Sequence, residues 1–189
     1  MTAVPGCEPE PEPERAISLR PLERADRDRL ADMLGRLSPM SRYRRFFTPL
    51  PRLPASLVKH MAEVDHDRHE AIAALVGDDI IGIAEYVRSR DHPAEAEIAV
   101  TVEDGWQRHG VARLLTTELG RTAARRGIVR FVADVLAENR PAISMIHRLA
   151  PRATVTPDGR DIQVVIPLRR RRREGGGCPM LLVRWPGAA

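Results

Sequence analysis

Cysteine, aromatic side chains and long apolar runs are all scarce in this sequence of 189 residues. The two cysteines, Cys7 and Cys178, lie near opposite ends, and the histidines fit neither one helix face nor a paired-ligand loop. We therefore expect reduced thiols, no metal site and a cytoplasmic protein. No run approaches about eighteen apolar residues, and no basic segment followed by an apolar stretch opens the chain. These absences argue against a membrane span and against secretion.

An excess of basic charge is also nearly missing from the part expected to fold. The formal net charge is +4, but the five consecutive arginines at 169–173 supply more than that excess, so a nucleic-acid partner is not favoured. Proline and glutamate alternate at the start, which predicts a disordered leader over 1–15. Residues 169–189 are expected to form a solvated, flexible tail, or else to contact nucleic acid or an acidic partner. One domain over 16–168 remains.

Apolar periodicity predicts the order β, helices, β-β-β, α, β, α, β-β. A strand-helix-strand unit between about 96 and 136 favours local parallel pairing, so we expect a mixed α/β fold with helices packed on the sheet. The proline- and arginine-rich segment 38–54 is expected to be a short helix or an ordered loop. The predicted strands are 17–22, 71–76, 80–87, 96–102, 128–136 and two within 153–167, and the predicted helices are 23–37, 57–64, 110–126 and 139–149.

One strand, one loop and one helix start form the most informative stretch. The strand 96–102 is followed by the loop QRHG, and Gly110 opens the next helix. A helix N-terminus offers unpaired N–H groups and partial positive charge, and glycine lets the main chain approach an anion closely. The pattern alone fits either a pyrophosphate site or an ordinary strand-to-helix turn.

The segment from Gln107 to Ala112 resembles the Q-x-x-G-x-[GA] signature of GNAT N-acetyltransferases, and Asn139 opens the expected later helix. The resemblance covers about 16–168. It implies the GNAT fold, a mostly antiparallel twisted sheet with one splayed parallel pair and helices on both faces, and acetyl-CoA as co-substrate. Cofactor contacts would come from the main chain of Val100 and Val102, from Asn139, and from Gln107, Arg108, His109, Gly110, Val111, Ala112 and Arg113.

The resemblance also implies that pantetheine binds like an extra strand between the strands that end at Val102 and Leu136. Ile146 stands where many family members carry the tyrosine that protonates the leaving thiolate. Since a thiolate is a fair leaving group and water can supply that proton, activity does not require this tyrosine.

Glu97 is the candidate general base. Strand alternation places Glu97, Ala99 and Thr101 on one face, opposite Ile98, Val100 and Val102. From the pattern alone the carboxylate is either solvated or directed into a cleft, but the segment Ala96–Ala99 resembles the A-E-[IV]-A segment of Pat-type protein lysine acetyltransferases, in which this glutamate is the base. Glu85, on the preceding strand, is the alternative base.

The acceptor is expected to be a protein lysine, because the run from Ser41 to Phe47 also resembles the Pat-type domain where it lines the acceptor side. Its arginines and aromatics form either a rim for the acceptor or core anchors with solvated charges. Two other functions remain open. One is acetylation of a small amine, and the other is acyl-CoA sensing without catalysis. The sequence does not indicate the oligomeric state.

Overall fold

The computed structural model describes residues 16–168, which form one seven-stranded sheet with helices on both faces. The predicted leader 1–15 and tail 169–189, with both cysteines, lie outside the described residues. The elements are β1 (Ile17–Pro21), α1 (Arg27–Arg36), α2 (Pro39–Phe46), α3 (Ala55–Ala62), β2 (His69–Val76), β3 (Asp79–Arg88), β4 (Glu95–Val102), α4 (Val111–Arg125), β5 (Arg130–Leu136), α5 (Arg140–Leu149), β6 (Thr154–Asp158) and β7 (Asp161–Pro167).

The strands lie in the order β1-β2-β3-β4-β5-β7-β6, and neighbours are antiparallel except β4 and β5. The parallel pair is joined by α4, as expected for a strand-helix-strand unit. The predicted mixed fold with one local parallel pair is confirmed.

A separate apolar cluster lies on each face of the sheet. Helices α1 and α3 pack on one face through Leu30, Met33, Leu34, Val58 and Met61, all of which are buried. Helix α4 packs on the other face through Val111, Leu115, Leu119 and Ala123, which recur at the four-residue spacing of an amphipathic helix. Helix α5 covers β5 and β7 on the α4 side, where Ile146 packs with Ala133 and Val164.

Turn residues set the element boundaries largely as the sequence predicts. Gly77 has a φ of 58° in the two-residue turn between β2 and β3, a conformation that glycine adopts without steric cost. Several boundaries differ from prediction by two residues or more. Helix α1 begins at Arg27 rather than at residue 23, and α3 begins and ends two residues earlier than 57–64. Strand β2 begins at His69 rather than at residue 71, and β5 begins at Arg130 rather than at residue 128.

Segment 38–54 contains a helix, α2, over its first half. Ser38 accepts a hydrogen bond from the amide of Ser41 as N-cap, and Pro39 occupies the first turn, where its missing N–H costs little. No residue of α2 is fully buried. The helix is therefore held by its cap and by polar contacts more than by an apolar stripe.

Among the described residues no helix is long and apolar enough to cross a membrane. The same part of the chain brings no three histidine, cysteine, aspartate or glutamate side chains together in a group that could hold a metal ion.

Candidate functional site

The parallel pair opens into a cleft along half of its length. Within the described chain, β4 and β5 pair only at Glu95–Arg130, Ala96–Phe131 and Glu97–Val132, although both strands continue beyond these positions. The cleft has a volume of about 2450 Å³. Small-molecule sites typically measure about 300–1,000 Å³. The splayed geometry therefore leaves room for an elongated cofactor and for part of an acceptor.

Main-chain groups of β4 face this cleft at the expected positions. The amide of Glu103 donates to the carbonyl of Ile81 on the β3 side. Because hydrogen-bonding direction alternates along a strand, the main-chain groups of Val102 and Val100 face the opposite, β5 side. The Val102 carbonyl accepts a hydrogen bond from Gln107 Nε2 at 3.1 Å. The remaining groups are available to an extended ligand that replaces the missing strand pairing.

The loop between β4 and α4 closes one end of the cleft. Gly110 has a φ of 82° and Arg108 a φ of 65°, so the chain turns sharply before the helix. The first α-helical bond of α4 joins the Leu114 amide to the Gly110 carbonyl at 3.1 Å. The amides of residues 111–113 precede it and have no helical acceptor of their own. With the positive end of the helix dipole, they form a site suited to a pyrophosphate.

The structure brings most of the expected cofactor residues together on the cleft wall. Two of them contribute no lining side chain. The side chain of Val111 is buried in the core, and the His109 ring packs against Trp106 while its Nδ1 lies 2.8 Å from the Gln107 carbonyl. The residues that line the cleft are Val100, Val102, Gln107, Arg108, Gly110, Ala112, Arg113 and Asn139.

Asn139 and Ile146 approach the cleft from α5. Asn139 is the N-cap of α5, and its Oδ1 accepts from the Ala142 amide at 3.4 Å. Ile146 packs in the apolar cluster under α5 and also lines the cleft. No tyrosine lines the cleft in the part of the chain described. Asn139 therefore has a structural role besides any contact with a ligand.

Glu97 and Glu85 lie on the same face of the sheet but in different surroundings. Glu97 is exposed, lines the cleft and makes no hydrogen bond or ion pair with any described residue. Glu85 is buried, where its Oε1 pairs with Arg45 and its Oε2 lies 3.0 Å from His69 Nε2. Register places Glu85 opposite Ala99, so the two glutamates are diagonal neighbours on adjacent strands.

Electrostatics explains why Glu85 suits a structural role. Burial alone would raise the pKa of Glu85, but the hydrogen bond with His69 and the Arg45 charge outweigh it, and the pKa lies below its usual value. The hydrogen bond to Glu85 in turn raises the pKa of His69. A carboxylate held ionised and already paired on both oxygens is a poor proton acceptor. The geometry favours Glu97 over the alternative Glu85.

A polar network that sequence patterns did not reveal joins the loop to α2. Asp104 accepts from the Ser38 amide at 2.9 Å and from the hydroxyls of Ser38 and Ser41 at 2.8 and 2.7 Å. Gln107 Nε2 donates to the Ser41 hydroxyl at 3.1 Å. Burial of Asp104 opposes its ionisation, yet these donors lower its pKa. The signal in the sequence was only the N-cap pattern of Ser38 and Pro39, because the partners are more than sixty residues apart.

Comparison with known proteins agrees with this geometry. Residues 37–150 match the family model described as Acetyltransferase (GNAT) family. Acetyltransferase PA5475 of Pseudomonas aeruginosa is 30% identical over 130 residues, which cover 67% of this chain and 69% of that protein. Acetyltransferase Pat of Mycolicibacterium smegmatis is 30% identical over 133 residues, or 69% of this chain. The alignment covers only 40% of Pat.

Among solved structures, the GNAT domain of S. lividans PAT is similar in fold. It superposes with a TM-score of 0.74 at 31% identity, covering 79% of this chain and 89% of that domain. The chain belongs to the GNAT acetyltransferase family, and its domain is similar to the Pat type.

Proposed function

We propose that this acetyltransferase transfers the acetyl group of acetyl-CoA directly to a lysine side chain of a protein. GNAT acetyltransferases use acetyl-CoA. The observation that carries the proposal is the cleft itself, which has backbone donors at its α4 end and the exposed Glu97 carboxylate on one wall.

The cofactor would lie along the splayed strands. The amides at the start of α4 would hold the pyrophosphate, with Gln107 and Arg108 in the loop and Arg113 in the first turn adding contacts. Pantetheine would extend the sheet by hydrogen-bonding the main chain of Val100 and Val102. Asn139 would approach from α5. This arrangement leads the thioester towards the middle of β4, where Glu97 lies.

The chemistry requires a neutral amine. Lysine has a pKa of about 10.4, so only about one molecule in a thousand is neutral near pH 7.4. Glu97 would accept that proton directly or through a water while the amine nitrogen attacks the thioester carbonyl carbon. The nitrogen of the tetrahedral intermediate loses its second proton to water, the intermediate collapses, the carbon–sulfur bond breaks, and the leaving thiolate takes a proton from water.

The side chains present favour direct transfer of the acetyl group from acetyl-CoA to the amine. An acyl-enzyme route needs an activated nucleophile such as cysteine. Both cysteines of the chain lie outside residues 16–168. The amine would therefore react with the bound thioester without a covalent enzyme intermediate.

A lysine on a folded protein is the acceptor that the surroundings of Glu97 support. The cleft is open and extends beneath α2, whose residues Ser41, Arg44 and Arg45 line it. Protein acceptors need a broad, partly polar contact surface, whereas a small cation is better held in an enclosed acidic pocket. The resemblance of segments 41–47 and 96–99 to Pat-type protein lysine acetyltransferases points to the same acceptor class, and the predicted cytoplasmic location would give access to such proteins.

Release of CoA from purified protein tests the proposal. The protein is incubated with acetyl-CoA and with either folded proteins, lysine peptides or small amines, and CoA thiol and acetyl-lysine are measured by thiol titration and mass spectrometry. We expect acetyl-lysine on at least one protein and little on free polyamines or aminoglycosides. A parallel reaction with the Glu97→Gln variant gives the background level of spontaneous acetylation. Equal labelling by both forms together with rapid acetylation of a small amine would contradict the lysine assignment. Tight binding without CoA release would indicate a sensor.

A further inference from the structure

The arginines of α2 have different partners. Arg45 pairs with the buried Glu85, and Arg42 donates from Nη1 to the Pro51 carbonyl at 2.9 Å. Arg44, between them, makes no hydrogen bond or ion pair with any residue in 16–168. The Nε atoms of all three arginines are buried without a hydrogen-bond partner, but Arg42 and Arg45 are held through their Nη atoms. An arginine with no partner at all gains more from an incoming anion than one that is already paired.

Arg44 also lines the cleft in which the proposed reaction takes place. It lines the same cleft as Glu97, on the face where α2 packs against β4. The position of α2 is fixed at its start by Asp104 and near its end by the Arg45–Glu85 pair. Because this short helix is anchored at both ends, it holds Arg44 on the acceptor side of the cleft. Arg44 is therefore not a freely moving surface cation.

The cleft contains negative groups on the same face. Glu97 is exposed there, and Asp134 lies on the corresponding face of β5, since Val132 pairs with Glu97 and side chains alternate along the strand. Both carboxylates attract the cationic acceptor amine. Arg44 provides the opposite charge on the α2 side of the cleft. Together they match an acceptor that carries an amine and, close to it, a carboxylate.

We propose that Arg44 is a specificity-determining residue that binds a carboxylate adjacent to the acceptor amine, so that lysines with an acidic neighbour are preferred. The inference rests on the proposed function and adds the substrate feature that α2 recognises. An aspartate or glutamate beside the target lysine would supply this carboxylate in a protein, and the α-carboxylate would supply it in a free amino acid.

Matched acceptors test this role. Lysine peptides with blocked ends carry alanine, aspartate or arginine at the positions flanking one lysine. A second pair, Nα-acetyl-lysine and its amide, differs only in the free carboxylate. For the wild type we expect kcat/KM for the aspartate peptide to exceed that for the alanine peptide about fivefold, mostly through KM. The preference should shrink at high salt.

Variants of Arg44 test whether its side chain causes the preference for the aspartate peptide. Arg44→Gln should remove it, Arg44→Lys should keep part of it, and Arg44→Glu should reverse it in favour of the arginine peptide. Arg52→Gln, which removes an exposed arginine outside the cleft, should leave it unchanged. The KM for acetyl-CoA should stay the same in all four variants, because a change there would place Arg44 on the cofactor instead.

The outcomes separate the two proposals. If only the peptides show a preference for the acceptor with a carboxylate, the group that Arg44 binds is a side-chain carboxylate of a protein. If only the acetyl-lysine pair shows this preference, the group is the α-carboxylate of a free amino acid. CoA release at equal rates from all acceptors, or a preference that survives Arg44→Gln, overturns the role of Arg44 while the acetyltransferase proposal stands. Absence of CoA release with any amine overturns both.

Discussion

At the scale of single residues, two glutamates on one face of the sheet show how the surroundings decide function. The sequence offers both as candidate bases on neighbouring strands, and it ranks Glu97 first only through a resemblance. The structure adds partners, because Arg45 and His69 hold Glu85 while Glu97 is exposed and unpaired among the described residues. Such partners are forty and sixteen residues away, so no local pattern could predict them.

We predict that Glu97→Gln keeps acetyl-CoA affinity but loses at least about tenfold in turnover at neutral pH. The change keeps size and polarity and removes the proton acceptor, and loss of a general base usually costs about a hundredfold or more. The initial rate of CoA release measures turnover, and the thermal shift produced by acetyl-CoA measures cofactor binding.

Glu63→Gln is the matched control, because Glu63 is exposed at the end of α3 and outside the cleft. It should behave like the wild type. Unchanged turnover of Glu97→Gln between about pH 6 and 8 would show that Glu97 is only a solvated carboxylate.

At the scale of elements, the unit β4, loop and α4 was predictable because its information is local. Gly110 before an amphipathic stripe marks the helix start, and the stripe Leu115, Leu119 and Ala123 is buried as expected. Helix α2 was less predictable, since it has a capping signal but no fully buried residue. Its position depends on Asp104 and Glu85, which lie in distant segments.

Substitutions at Gly110 test the loop as an anion site. We predict that Gly110→Asp abolishes the rise in melting temperature that acetyl-CoA produces, since ligand binding stabilises the native state by mass action. Asparagine has nearly the same shape and tolerates a positive φ, here 82°, about as well as aspartate. Gly110→Asn should therefore retain more of the shift.

The difference between the two variants isolates the charge. Space is not the cause, because a Cβ at position 110 would meet no atom within 4 Å in the structure. A folded Gly110→Asp protein with unchanged acetyl-CoA affinity would refute the placement of the pyrophosphate.

The Ser41 hydroxyl connects the cofactor loop to the acceptor helix. Because it accepts from Gln107 and donates to Asp104, we predict coupled effects in a double-mutant cycle of Ser41→Ala and Gln107→Ala. Each single change should raise the KM for acetyl-CoA, and the double change should raise it by less than the product. The coupling should be about 1 kcal/mol, the net value of one hydrogen bond.

Ser56→Ala provides the control, because Ser56 is exposed on α3 and lies outside the cleft. Strictly multiplicative effects of the two changes would indicate that the Ser41–Gln107 hydrogen bond does not form in solution.

At the scale of the whole molecule, the order of elements was readable from the sequence, whereas the polar links between layers were not. Within residues 16–168, the seven strands and four of the five α-helices follow from periodicity and turn residues, and α2 is the exception. The Arg45–Glu85–His69 contacts that tie α2 to β2 and β3 depend on the folded topology. This cluster also makes the stability of the fold depend on pH.

The sign of that dependence follows from the directions of the two pKa shifts. The pKa of His69 is raised above its usual 6.5 by the hydrogen bond to Glu85, so its stabilising contribution is complete below about pH 6.5 and is lost as pH rises through the raised value. The pKa of Glu85 is lowered from its usual 4.5, so its contribution is present above that value and is lost as pH falls through the lowered one.

We therefore predict that the free energy of unfolding falls as pH rises above about 6.5, and that His69→Gln removes this part of the fall. Urea unfolding of both proteins at steps from about pH 5.5 to 8.5 measures it, with the difference between them isolating His69 from the other histidines. His147→Gln, a change at an exposed position of α5, should follow the wild-type profile. Parallel profiles of wild type and His69→Gln would show that His69 does not gain a proton on folding, so that a neutral ring makes the contact with Glu85.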